Sequence, residues 1–83
     1  MYIGRDSPRR ARVLADRIVT RLEQTRIFPM SGRVVPEWNV PVFRELIESR
    51  YRLIYQPAPD TIHVLQIIHV RQRLESAGAA ADD

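Results

Sequence analysis

The hydrophobic pattern changes its period once along the chain, and this change limits the fold more than any other feature. Apolar residues between Pro8 and Ile27 recur at the spacing of an amphipathic helix. Ser7 before Pro8 is a typical N-cap, because proline is tolerated at the first helical position. From Val42 onward the period is two, which is typical of strands. The sequence therefore predicts an α+β fold with one helix packed on a sheet.

Three β-prone runs make up the predicted sheet, at residues 42–48, 50–56 and 61–70. Only short turn segments separate these runs, so the natural arrangement is a three-stranded antiparallel meander. The proline-punctuated segment 33–41 lies between the helix and the first run, and it is expected to form an ordered loop.

The turn lengths fix the expected register of the strands. A two-residue first turn places Leu46 opposite Leu53. A four-residue second loop places Tyr55 opposite Ile62 and Leu53 opposite Val64. This register is sensitive to slips, because moving a strand by one residue exchanges its two faces.

The predicted register divides the sheet into two faces of different character. The face expected to lie under the helix carries Val42, Leu46, Tyr51, Leu53, Tyr55, Ile62, Val64, Ile68 and Val70. The opposite face carries Glu45, Arg52, His63, His69 and Arg71 among Phe43, Ile47, Ile54, Leu65 and Ile67. A half-polar, half-apolar face of this kind is typical of a groove or a partner surface.

The charged residues point to acidic partners. All 13 basic residues are arginine, against 10 acidic residues. A guanidinium group never deprotonates in proteins, and its fork of donors suits phosphate and carboxylate. Nucleic acid or an acidic protein is therefore the expected kind of partner.

Several classes of protein are excluded by what the sequence does not contain. The chain has no cysteine, which excludes disulfides and thiolate catalysis, and it has no glycine-rich phosphate loop. His63 and His69 would lie roughly 20 Å apart along a strand, too far to share a metal ion. No apolar run approaches the roughly 20 residues of a membrane span. We expect a cytoplasmic protein without metal or cofactor.

The remaining polar residues, a set of arginines with one carboxylate and two imidazoles, are the minimum needed to cleave RNA without a metal ion. Such cleavage needs a base, an acid and a cation to neutralise the phosphorane. Arg52 and Arg71 would hold the phosphate, and the proton work would fall to Glu45 or to His69, which is favoured by its ordinary pKa near 6.5. The alternatives are structural: a cross-strand ion pair between Glu45 and Arg52, and a histidine without a catalytic role at position 69.

Four segments, in this order and spacing, resemble the ParE/RelE superfamily of toxins from type II toxin-antitoxin modules. They read DSPRRA, FPMSGRVVPEW, FRELIESRYRLIYQ and IHVLQIIHVRQRL, and the resemblance runs from about Tyr2 to Leu74. It implies a small toxin fold, a helical hairpin on a twisted antiparallel sheet, and a growth-arresting activity that a cognate antitoxin neutralises. Residues 1–75 are expected to form this single domain, and residues 76–83 a flexible tail.

The two branches of the superfamily imply different activities. ParE-like members bind DNA gyrase and need no nuclease residues, whereas RelE-like members cut messenger RNA on the ribosome. Matching the RelE-like pattern gives Arg52 the role of phosphate clamp and His69 that of acid or base, supported by Glu45 and Arg71. Two features are closer to the ParE branch: the pattern SGR…PE…RE, which begins in the elbow FPMSGRVVPEW, and the His-x-Arg ending. Gyrase binding is therefore the first hypothesis, mRNA cleavage the second, and a catalytically silent remnant the third.

The beginning of the chain departs from the family pattern. These toxins usually start with a strand and a first helix, and residues 1–3 would correspond only to the end of that helix. A mis-assigned start, a degraded remnant, and a chain completed by a homodimer partner or by the antitoxin all stay open. Apolar positions on the open face of the predicted sheet are the expected antitoxin-binding residues: Phe43, Ile54, Leu65 and Ile67.

Overall fold

The computed structural model describes residues 7–72 and Leu74. Its elements are α1 Pro8–Ile27, β1 Arg33–Val34, β2 Arg44–Glu48, β3 Tyr51–Pro57 and β4 Ile62–His69. The strands form one antiparallel sheet in the order β1-β2-β3-β4. The predicted α+β class is confirmed, and β1 adds a fourth strand inside the segment expected to be a loop. The segments 1–3 and 76–83, for which the sequence suggested a helix end and a tail, lie outside the described residues.

The predicted helix is confirmed at both ends. The side-chain oxygen of Ser7 accepts a hydrogen bond from the backbone N–H of Arg10 at 3.3 Å, and Pro8 follows at the start of the helix. The helix ends at Ile27 with Phe28 as its C-cap, just before Pro29, which cannot continue a helix. No helix among the described residues is both long enough and apolar enough to cross a bilayer.

One hydrophobic cluster joins α1 to the sheet. Its fully and partly buried members are Leu14, Ile18, Leu22, Leu46, Tyr51, Leu53, Tyr55, Ile62 and Ile67. Leu53 and Tyr55 are completely shielded from solvent, and burial of such a side chain stabilises the fold by roughly 1.5–3 kcal/mol. The apolar stripe of the helix thus covers β2 and β3, as its spacing predicts.

A second cluster covers the opposite face of the sheet. It contains Val35, Trp38, Phe43, Ile54, Ile68 and Leu74. The rings of Trp38 and Phe43 meet edge to face with centroids 5.1 Å apart. The expectation that this face is open is therefore wrong, because segment 35–43 and Leu74 fold over it.

The turn between β2 and β3 has the predicted length. Residues 49–50 join the two strands, and Leu46 lies opposite Leu53 as expected. Ser49 adopts φ 58°, in the left-handed region that glycine and asparagine accept most readily. The pairing of β2 with β3 is confirmed.

The predicted pairing of β3 with β4 is wrong. Tyr55 lies opposite Val64, not Ile62. The physical reason is that β3 continues through Pro57, so the four-residue loop comprises residues 58–61 and starts one residue later than predicted.

A bulge in β4 changes which residues face the helix. The register shifts by one residue at Leu65, so that Leu53 lies opposite Ile67. Because side chains alternate between the two faces, every later residue of β4 changes sides relative to the prediction. Ile67 and His69 lie on the helix side, and Ile68 lies on the opposite side.

Candidate functional site

A buried ion pair occupies the face of the sheet opposite α1. Glu45 of β2 is 1% exposed and Arg52 of β3 is 7% exposed. The Nε and Nη2 atoms of Arg52 donate hydrogen bonds to Oε1 of Glu45 at 3.0 and 2.5 Å. The cross-strand ion pair, which the sequence offered as the structural alternative to a catalytic role, is thus present.

Glu37 and Arg33 complete a cluster of four charges. Arg52 donates to Glu37 through Nη1 at 2.5 Å and Nη2 at 2.7 Å. Arg33 of β1 donates from Nε to Oε2 of Glu45 at 2.7 Å. We call Arg33, Glu37, Glu45 and Arg52 the charge cluster. Its two positive and two negative charges balance, so the buried charges of Glu45 and Arg52 are paired.

The electrostatics at Glu37 and Arg52 favour the ionised forms of these two side chains. The pKa of Glu37 lies below its ordinary value, chiefly because Arg52 donates hydrogen bonds to its carboxylate. The pKa of Arg52 is raised, first by the hydrogen bonds to Glu37 and then by those to Glu45, against the opposing effect of burial. Both groups therefore stay charged at neutral pH.

The hydrogen bonds of Arg52 define what this residue can do. Its guanidinium has five N–H donors, and the hydrogen bonds to the two carboxylates account for four of them. Its side chain is 8% exposed. Arg52 thus ties residue 37 to the sheet, and it offers little to a phosphate group from outside.

His69 lies on the other face of the sheet from Arg52. It is opposite Tyr51, with ring centroids 5.8 Å apart, whereas Arg52 is opposite Ile68. Its Nδ1 accepts a hydrogen bond from the backbone N–H of Arg71 at 3.1 Å. The prediction that Arg52 and His69 share a face is wrong, and the bulge in β4 is the reason.

Two further polar residues of the predicted open face, Arg71 and His63, also lie apart from the charge cluster. Arg71 is exposed beyond the end of β4. His63 shares the face of the cluster, but it is opposite Gln56, about 13 Å along β3 from Arg52. Within residues 7–72 and Leu74, no three histidine or acidic side chains are grouped closely enough to hold a metal ion.

Sequence reasoning missed Arg33 and Glu37. Strand alternation assigns faces only within long strands, and β1 has two residues. Arg33 reaches Glu45 because the two residues lie opposite each other in the pairing of β1 with β2. Glu37 lies in a loop, where no periodic signal exists. Its position after Pro36 in the elbow motif was the one available hint.

The four expected antitoxin-binding residues are not on one open surface. Ile54 is completely buried, and Phe43 is partly covered by Trp38. Ile67 packs on the helix side. Leu65, at the bulge, is 41% exposed. Of the four, Leu65 has the solvent exposure that was expected.

A groove between the helix and β4 exposes apolar side chains on the helix side of the sheet. It is lined by Val19, Leu22, Glu23, Arg26, Thr61, Ile62 and Val64, and we call it the α1–β4 groove. Val19 is 57% and Val64 45% exposed. In the described part of the chain, β4 pairs only with β3 and forms an edge of the sheet. An apolar groove beside a strand edge is suited to binding a partner segment.

Comparisons with known proteins agree with the resemblance seen in the sequence. Searches of curated proteins and of solved structures found no match. The family described as ParE toxin of type II toxin-antitoxin system, parDE, matches residues 1–74. This match spans α1, all four strands and the charge cluster. The chain belongs to the ParE family of toxins from type II toxin-antitoxin systems.

Proposed function

We propose that this toxin arrests growth by binding DNA gyrase and not by cutting RNA. The observation that carries the proposal is the state of Arg52, which donates four of its five N–H groups to Glu37 and Glu45. His69 lies on the opposite face and cannot act beside it. A toxin of the ParE family that lacks a grouped acid, base and phosphate clamp among its described residues is suited to binding rather than to catalysis.

A supercoiling assay with purified gyrase and purified toxin tests this proposal. We expect the toxin to inhibit supercoiling of relaxed plasmid DNA, with inhibition rising with toxin concentration. A parallel assay with ribosomes and messenger RNA should give no toxin-dependent cleavage. Unchanged supercoiling together with ribosome-dependent cleavage would contradict gyrase binding and support the endoribonuclease alternative.

Histidine variants separate the two activities inside cells. His69→Gln removes the imidazole suggested for proton transfer, and His63→Gln is the matched control on the other face. We expect both variants to arrest growth as the unmodified toxin does. Loss of growth arrest in His69→Gln alone, in a variant with an unchanged melting temperature, would favour nuclease chemistry.

The family implies a cognate antitoxin, and we propose that one of its segments binds in the α1–β4 groove. Val19 and Val64 line that groove and are both about half exposed, while Leu65 is exposed beside them at the bulge. A segment added along β4 would find unpaired backbone groups and apolar side chains together. Phe43 and Ile54 are covered and are no longer proposed as contacts.

Binding to the small protein encoded beside the toxin tests the groove. Val64→Asp places a charge in it, whereas Val42→Asp introduces the same charge at a position of similar exposure outside it. We expect Val64→Asp to lower the affinity by at least tenfold, and Val42→Asp to leave it nearly unchanged. Equal affinities of the antitoxin for the two variants would contradict binding in the α1–β4 groove.

A further inference from the structure

Four arginines of α1 form a basic surface that the proposed function does not use. Arg9, Arg10, Arg12 and Arg17 are all exposed. At 100° per residue they cover an arc of roughly 160°, opposite the buried Ile18, over about 12 Å of the helix axis. We call these four residues the arginine face.

The arginine face is not neutralised by the described part of the protein. Four glutamates already pair with other arginines: Glu48 with Arg21, Glu23 with Arg26, and Glu37 and Glu45 within the charge cluster. None of the side chains of the arginine face makes an ion pair or hydrogen bond with another described residue. Asp16, the one acidic residue between positions 8 and 17, lies within the same arc of the helix and offsets one of the four positive charges. The excess positive charge therefore faces solvent.

The position of these arginines also opposes the helix dipole. The first turn of α1 contains no acidic residue, and Arg9 and Arg10 lie in it. Cations are unfavourable at a helix N-terminus, where the partial charge of the helix is positive. No contact with another described residue offsets the unfavourable position of Arg9 and Arg10 at the helix N-terminus. A sequence that breaks a local rule without internal compensation commonly does so at a functional surface.

We propose that the arginine face binds the phosphodiester backbone of a nucleic acid. Guanidinium groups match phosphate geometry with two parallel hydrogen bonds. An acidic protein is disfavoured as the partner, because protein interfaces centre on apolar and aromatic anchors with few charges. Among residues 8–17, Val13 is the one large apolar side chain that is strongly exposed. The contact is electrostatic, independent of base sequence and separate from the binding of gyrase.

Salt-dependent binding to duplex DNA and to an RNA hairpin, without gyrase present, tests the proposal. Neutralising about four phosphates predicts a slope of about −3.6 for log K against log salt on DNA. Arg9→Gln with Arg17→Gln should reduce the magnitude of this slope by about 1.8 and weaken binding at low salt by at least tenfold. Arg50→Gln with Arg73→Gln removes the same charge outside residues 8–27 and serves as the matched control.

The outcomes of this experiment decide the proposal. A loss of affinity confined to the Arg9 and Arg17 variant supports it, and the comparison of DNA with RNA identifies the preferred backbone. Equal losses in the control would overturn it, since net charge alone would then explain binding. Absence of binding at low salt, or competition by polyglutamate as strong as by DNA, would overturn it too. Arg9→Gln removes a cation from the first turn of α1, and the side chain of Arg17 makes no ion pair or hydrogen bond with another described residue, so we expect the melting temperature not to fall.

Discussion

The guanidinium of Arg52 holds the carboxylate of Glu37 through two hydrogen bonds of 2.5 and 2.7 Å. This bidentate contact joins the centre of the sheet to a loop residue 15 positions earlier in the chain. It keeps segment 35–39 over Ile54, a core residue that is fully buried. The contact therefore explains why this face of the sheet is closed.

Removal of the Glu37 carboxylate should destabilise the fold. In Glu37→Ala, Arg52 loses two hydrogen bonds while it remains next to Glu45, so the buried charge is less well paired. We expect the free energy of unfolding in urea to fall by about 1–2 kcal/mol. Glu23→Ala, which breaks an exposed ion pair with Arg26, should cost less than about 0.5 kcal/mol. If both variants lost similar amounts of unfolding free energy, the hydrogen bonds from Arg52 to Glu37 would not stabilise the fold.

The same carboxylate should make stability depend on pH in the acid range. The folded-state pKa of Glu37 lies below the ordinary value of 4.5, because Arg52 stabilises the charged form. Its contribution is therefore complete above the unfolded pKa and is lost as the pH falls through the folded pKa. We expect Glu37→Gln to lower the free energy of unfolding by a constant amount between about pH 6 and 8, and by progressively less below 4.5. Denaturant titrations across that pH range measure the stability difference between the unmodified protein and Glu37→Gln. A difference that grows on acidification would contradict a lowered pKa of Glu37.

Local signals in the sequence were enough to predict the helix and the pairing of β2 with β3. The N-cap at Ser7 and the proline at position 29 mark the helix ends, and a two-residue turn sets the register. The bulge at Leu65 left no such signal, because no glycine or proline interrupts the strand around it. This single extra residue is what separated His69 from Arg52 in the candidate site.

A second limit on sequence reasoning concerns the partners of buried charges. Arg52 was correctly paired with Glu45, because both lie on regular strands with a predictable register. Its contact with Glu37 depends on how a loop folds back over the sheet, which periodicity does not describe. Predicting a catalytic role for Arg52 was therefore reasonable from the sequence, although four of its five N–H donors bind Glu37 and Glu45 in the structure.

The turn at Ser49 should be open to stabilisation. Its φ of 58° is costly for a serine, whereas asparagine accepts left-handed backbone conformations more readily. We expect Ser49→Asn to raise the free energy of unfolding by up to about 1 kcal/mol. The neighbouring Arg50→Asn is the control and should not stabilise, because Arg50 does not have a positive φ. Thermal melts of the two variants decide between strain at position 49 and a general effect of asparagine in the turn.

Gly32 should tolerate no side chain. A Cβ atom at this position would lie 2.6 Å from the backbone oxygen of Glu45 and 2.7 Å from the hydroxyl of Tyr55. The N–H of Gly32 also donates to that hydroxyl at 3.0 Å, and the hydroxyl in turn donates to the carbonyl oxygen of Pro29 at 2.8 Å. Since backbone and a buried ring both block the site, we expect Gly32→Ala to cost about 2 kcal/mol or more.

Urea denaturation of Gly32→Ala beside Ser31→Ala measures this cost, because Ser31 is the exposed neighbour and should change stability by less than about 0.5 kcal/mol. Tyr55→Phe provides an independent check. It leaves the buried N–H of Gly32 and the carbonyl of Pro29 without the hydroxyl, so it should lower the free energy of unfolding by about 1–3 kcal/mol. If Gly32→Ala were as stable as Ser31→Ala, the close packing of the elbow against β2 and β3 would be wrong, and with it the placement of β1 that brings Arg33 to Glu45.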